Sequence, residues 1–212
     1  MLKVGLTGGI AAGKSVVGEM FVALGASLVQ ADKIAHSLMQ RGEAVYDEVV
    51  RHFGREILNS DGSINRPKLA ELAFGSGSSE TGSRPSRVDE LNRIVHPSVI
   101  RRQDEWMEEI GWLDPHAVAI VEAALILEAG AAKRFDRLIV VTCEPEQRAI
   151  RFAERQSLSI EEARREVSRR MAAQLPDEEK IKAAHHVIDN SGSLEKTSAQ
   201  VRQVWEKLHA QA

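Results

Sequence analysis

The sequence predicts an α/β fold, a three-layer α/β/α core around a five-stranded parallel sheet with an α-helical insert. Three observations carry that prediction. Five short apolar segments, Lys3–Thr7, Ser27–Gln30, Ala117–Val121, Arg137–Thr142 and His186–Ile188, lack polar alternation, as strands covered on both faces do. Helix-compatible stretches separate them, which is the βαβ pattern. The first segment runs directly into GGIAAGKS at Gly8–Ser15, the G-x-x-x-x-G-K-[ST] spacing that joins a strand to a helix around a phosphate.

The elements follow in order. After the first strand, Gly8 and Gly13 allow a tight turn and a close approach to phosphate. The peptide groups of Gly8, Gly9, Ile10, Ala11, Ala12 and Gly13 form an anion cradle, backed by the positive end of a helix that runs to Leu24. Lys14 is placed to reach β- and γ-phosphates, and the Ser15 hydroxyl to ligate Mg²⁺. A nucleoside triphosphate is therefore the expected ligand. The loop alone does not separate a kinase from a GTPase, a motor or a regulatory ATPase.

The second strand ends at Gln30, and Asp32 follows it. Ligands of such sheets bind at the carboxyl ends of the strands. Asp32 there suits a proton acceptor, a water-mediated Mg²⁺ partner or a helix N-cap. Residues 33–116 are too many for one crossover helix. Candidate helices are Asp32–Gln40, Ala44–Phe53, Arg66–Phe74, Arg87–Val95 and Pro97–Ile110. A Gly/Ser-rich surface loop is expected over 75–83. The domain reading is a nucleotide-binding core over 1–32 and 114–212, with crossover and insert over 33–113.

Glu122, after the third strand, offers a metal-sphere carboxylate or a solvated strand end. The segment 146–170 carries Arg148, Arg151, Arg155, Arg164, Arg165, Arg169 and Arg170 among glutamates. It reads either as a solvated, ion-paired helix face or as a cationic lid over transferring phosphate. Leu194–Leu208 has helical apolar spacing and closes over the sheet.

Composition narrows the partners. With 28 basic and 31 acidic residues the net charge is −3, whereas broad nucleic-acid binding rests on a basic surface, so no nucleic acid is expected. Cys143 is the single cysteine. It follows an apolar strand and reads as a buried thiol in a reducing compartment. No apolar run approaches the ~20 residues of a membrane span. The chain enters a strand by Leu2 without a charged leader, so a cytoplasmic location is expected.

Four stretches together resemble dephospho-coenzyme A kinase: GLTGGIAAGKS at Gly5–Ser15, ADKIAH at Ala31–His36, LNRIVHP at Leu91–Pro97 and VIDNSG at Val187–Gly192. The resemblance runs from Met1 to about Gly192. It implies a P-loop NTPase core, a helical insert that helps to bind dephospho-CoA, and a helical lid over about 145–175. The implied reaction moves the γ-phosphate of ATP to the ribose 3′-hydroxyl of dephospho-CoA, with Mg²⁺ as cofactor; the oligomeric state is open in the sequence, a monomer being favoured. By the same resemblance Lys14, Asp32 and Arg155 are catalytic, Asp32 as general base. Gly8 to Val16, Arg155 and Asn190 contact ATP. Thr7, Asp32, His96 and Glu122 face substrate, and Ser15 holds the metal.

This chain departs from the family pattern in several places. Gln30 replaces the first Asp of D-A-D. The loop reads Ala11-Ala12-Gly13-Lys14-Ser15-Val16 where GSGKST is common. D-x-P-L-L-F-E becomes Glu122-Ala123-Ala124-Leu125-Ile126-Leu127-Glu128, and Gln156 follows Arg155. The lysine, the metal hydroxyl and the candidate base are all retained.

Overall fold

The computed structural model describes residues 1–74 and 87–212; the Gly/Ser-rich stretch at 75–83 lies outside them. Contacts divide the chain into two compact units, Met1–Gln30 with Met107–Ala212, and Ala31–Trp106.

The first unit holds a five-stranded, wholly parallel sheet. Its strands are β1 (Leu2–Gly8), β2 (Ser27–Gln30), β3 (Val118–Glu122), β4 (Arg137–Thr142) and β5 (His186–Asp189), in the order β2-β3-β1-β4-β5. Every residue of β3 is buried, and all but one of β1, which is why the central strands show no polar alternation. The edge strands β2 and β5 are shorter and partly exposed. Register places Leu6 beside Glu122, Glu122 beside Gln30, and Gly8 beside Val141. The carboxyl ends of β1, β2 and β3 therefore meet at one edge.

One face of the sheet is covered by α1 (Lys14–Ala23) and α9 (Leu194–His209). Val17 and Phe21 of α1 join Val201, Val204 and Leu208 of α9 in one core with Val4, Leu6, Ile120 and Ile139. Ser193 caps α9 by accepting the Lys196 amide. After β4 come α6 (Pro145–Gln156) and α7 (Ile160–Ala172), which pack on each other through Phe152, Ala163 and Val167. Pro145 opens α6, and a reciprocal Ser159–Glu162 capping box opens α7.

In the second unit lie α2 (Ala31–Leu38), α3 (Ala44–Phe53) and α4 (Arg66–Phe74). Val45, Val49 and Phe53 form the buried stripe of α3 at four-residue spacing. The sequence places a helix break at His96–Pro97. The structure instead has one 26-residue helix, α5 (Val88–Leu113), with Pro97 inside it. Proline removes one intrahelical bond, but Val95, Val99, Gln103 and Met107 are all buried at four-residue intervals across it. Continuous burial on both sides outweighs the local break. The short helix α8 (Asp177–Ala183) was not predicted, although Pro176, three acidic residues in its first turn and lysines in its last give it helix-end signals.

Candidate active site

The site begins where β1 gives way to α1. Gly13 takes a left-handed conformation (φ 90°) as the N-cap of α1. A Cβ built there would lie 2.1 Å from Asn190 Nδ2, so glycine is required by both conformation and space. Lys14 folds back across its own loop, donating from Nζ to the carbonyls of Gly8 (3.0 Å) and Gly9 (3.2 Å). Ala11 is also left-handed (φ 53°), a conformation costly for a residue with a Cβ. Its side chain and that of Ile10 pack against the Phe152–Ala163–Val167 cluster, which offsets that cost. Val16 is exposed at 45%.

Ser15 starts a second chain of contacts. Its hydroxyl donates to Glu122 Oε1 at 2.8 Å, and the Gln30 side-chain amide donates to Glu122 Oε2 at 2.7 Å. Glu122 is buried (8% exposed) at the end of β3. The structure thus brings the carboxylate to the loop serine, away from the solvated strand-end alternative. Thr7, fully buried, donates its hydroxyl to the Ala124 carbonyl at 3.1 Å and ties β1 to the segment after β3.

Asn190 fastens the other side of the loop. Its Nδ2 donates to the Ala12 carbonyl (2.9 Å), its Oδ1 accepts from Thr197 (3.0 Å), and its amide donates to the Thr142 carbonyl (2.9 Å). Arg151 completes the clamp, reaching the Asn190 carbonyl at 2.9 Å and the Ala12 carbonyl at 3.4 Å. Burial pushes the Cys143 thiol up, with the Arg151 guanidinium pulling the other way. A protonated, buried thiol is a weak nucleophile.

Sequence reasoning did not single out Arg148. It is fully buried, donates from Nε to the Cys143 carbonyl at 2.7 Å and pairs through Nη2 with Asp177 at the start of α8. Among the described residues its Nη1 has no hydrogen-bond partner, and it lies 2.1 Å from where a Gly9 Cβ would stand. The loop therefore packs directly on a buried guanidinium, and only a glycine admits it. Arg148→Met keeps the stem but loses two charge-assisted bonds. It is expected to lower stability by about 1–3 kcal/mol, read as a reduced urea midpoint; an unchanged midpoint would show that the pair adds nothing.

The remaining arginines divide. Arg164 pairs with Glu146, and Arg169 and Arg170 both pair with Glu166, whose carboxyl they hold down at about 2, Arg169 foremost by its hydrogen bond. These are the ion-paired surface of the sequence reading. Arg155 is exposed, with its guanidinium 5.5 Å from the Phe152 ring centroid. Glu128, matching the last position of the family motif, accepts from buried Lys180 (2.9 Å) and from the Leu175 amide (3.1 Å). It anchors the segment that leads into α8.

Asp32 and His96 belong to the second unit. Asp32 is exposed in the first turn of α2, inside the helix rather than at its N-cap. His96 is half-buried within α5, not at a helix boundary. The residues brought together in the first unit are thus the loop, Ser15, Glu122, Gln30, Asn190, Arg148 and Arg151. Gln30 and Arg148 were not expected there. The signal for Gln30 was its place at a strand end, which gains meaning only once β2 is known to pair with β3.

The chain is similar to known proteins along almost its whole length. The family model for dephospho-CoA kinase matches residues 2–196. The dephospho-CoA kinase of Aquifex aeolicus is 39% identical over 211 residues, 98% of each chain. That of Leifsonia xyli is 34% identical over 98% of this chain and 99% of its own. A solved structure from Thermus thermophilus superposes with a TM-score of 0.76 at 33% identity, covering 97% of this chain and 96% of its own. Dephospho-CoA kinase from Campylobacter jejuni shares the fold, with a TM-score of 0.60 at 24% identity over 97% of this chain and 96% of its own. With the phosphate loop built as above and the family matched almost end to end, the chain belongs to the dephospho-CoA kinases, enzymes that phosphorylate dephospho-CoA with ATP in the last step of coenzyme A synthesis.

Proposed function

We propose that this chain transfers the γ-phosphoryl group of ATP to the ribose 3′-hydroxyl of dephospho-CoA, acting as a cytoplasmic monomer with Mg²⁺. The bond from the 3′-oxygen to the γ-phosphorus forms as the bond to the β,γ-bridging oxygen breaks, and ADP leaves. The hydroxyl proton passes to Asp32. Lys14 leaves the Gly8 and Gly9 carbonyls for the β- and γ-phosphates, joined by the loop amides, while Arg155 steadies the transferring group. Asn190 keeps the loop in shape beside ATP. Thr7 fixes the segment after β3, and His96 contributes to the acceptor side.

The Ser15–Glu122 contact carries this reading. A hydroxyl beside one buried carboxylate is an all-oxygen donor set, and Mg²⁺ is usually held by one or two protein oxygens together with substrate phosphates. Among the described residues no group of three or more His, Cys, Asp or Glu could hold a metal; nucleotide phosphates and water would complete the coordination. Ser15 Oγ keeps its lone pairs for the cation because its proton is already directed at Glu122. The bound ion would neutralise charge across the β- and γ-phosphates. Among the described residues no helix is long and apolar enough to cross a membrane.

The test is acceptor-dependent ADP release with Mg²⁺ and ATP. Release with dephospho-CoA, matched mole for mole by coenzyme A, is the expected result. Release with adenosine or AMP instead would make the chain a nucleoside or nucleotide kinase. ATP binding with no acceptor-dependent release would make it a nucleotide sensor.

A further inference from the structure

We propose that Gln30 is a positioning residue for the metal: its neutral amide orients the Glu122 carboxylate beside Ser15 before any cation arrives. The inference rests on the Mg²⁺ reading of Ser15 and not on the identity of the acceptor.

The argument starts from register. Glu122 has Leu6 of β1 on one side and Gln30 of β2 on the other. Ser15 sits at the start of the helix that follows β1, and so reaches one carboxylate oxygen while Gln30 reaches the other, at 2.8 and 2.7 Å. Both donors are neutral. Together they fix the plane of its carboxylate. Burial of Glu122 makes that fixing effective, since a buried carboxylate without donors pays a large desolvation cost.

The chemistry of the donor matters as much as its presence. A carboxylate in place of the Gln30 amide would set acceptor against acceptor at hydrogen-bond distance, and such a pair needs a shared proton or a bound cation. An apolar side chain would leave Glu122 Oε2 unpaired and the carboxylate free to turn. The amide avoids both outcomes. Partners of this kind, one step removed from a metal, typically change its affinity by ~10–100-fold when removed.

Mn²⁺ is a suitable probe, because its free ion is counted directly by electron paramagnetic resonance. Mn²⁺ is titrated into intact protein with ADP and no acceptor, for the wild type, Gln30→Leu, Glu122→Gln and the double variant. Gln30→Leu is expected to weaken Mn²⁺ binding to the ADP complex by ~10-fold, with metal-free ADP affinity unchanged. Added to Glu122→Gln it should do no further harm, because it acts through Glu122. In turnover, the half-saturating Mg²⁺ concentration should rise while kcat recovers at saturating Mg²⁺. Wild-type Mn²⁺ affinity in Gln30→Leu would overturn the proposal. So would equal losses of ADP with and without metal, which mark a structural role, or losses that multiply in the double variant. Gln30→Ala gives the same comparison if the leucine variant does not fold. Because no acceptor is present, a failed acceptor assignment leaves these titrations untouched.

Discussion

Asp32→Asn is expected to lower kcat by ~10²–10⁴-fold, the range for loss of a positioned general base, with the Kd for ATP unchanged. The substitution keeps size and hydrogen-bonding capacity but cannot take up the proton of an attacking hydroxyl. Asp32 is exposed in the first turn of α2, so its loss removes only the favourable interaction of a carboxylate with a helix N-terminus, about 0.3–1 kcal/mol. Folding and catalysis are thereby separated. Steady-state rates with dephospho-CoA, paired with calorimetric ATP titration, decide the matter: an unaltered kcat removes Asp32 from the reaction, and a lost ATP affinity reassigns it to nucleotide binding.

Gly13→Ala is expected to remove nucleotide binding and to cost about 2–5 kcal/mol of stability, from left-handed strain together with the hydrogen bonds of a displaced Asn190. The added methyl would stand 2.1 Å from Asn190 Nδ2. Asn190 cannot yield freely, because Ala12, Thr197 and Thr142 hold it at three points. Adding Asn190→Ala should relieve the collision but not the strain at φ 90°, so the double variant should be less destabilised than the sum of the two single changes. Urea unfolding midpoints of the four proteins measure this, and strict additivity would show that the contact carries no energy.

The sheet was legible because its strands are buried on both faces, and burial writes itself as continuous apolar runs. Arg137–Thr142 and Ser27–Gln30 were read with the ends the structure has. The phosphate loop was legible because its geometry demands glycine at fixed spacing. Strand order was not, since nothing local to β2 says that it pairs with β3. Gln30 consequently looked like a lost acid when it is a donor to Glu122. Arg148 was hidden by its surroundings: among interleaved glutamates one arginine resembles another, and only packing shows that it lies under Gly9 while Arg164 faces water. At Pro97 the local signal was real, but a buried stripe on both sides of it decided the outcome.

The bond from Asn190 to Ala12 joins positions 178 residues apart. On the ribosome the glycine loop is made first, and at ~5–20 residues per second the residue that fastens it follows roughly 10–35 s later. Throughout that interval the nascent segment carries the phosphate motif without its clamp. The loop therefore takes its fastened form only once Asn190 has been made, well after its own residues.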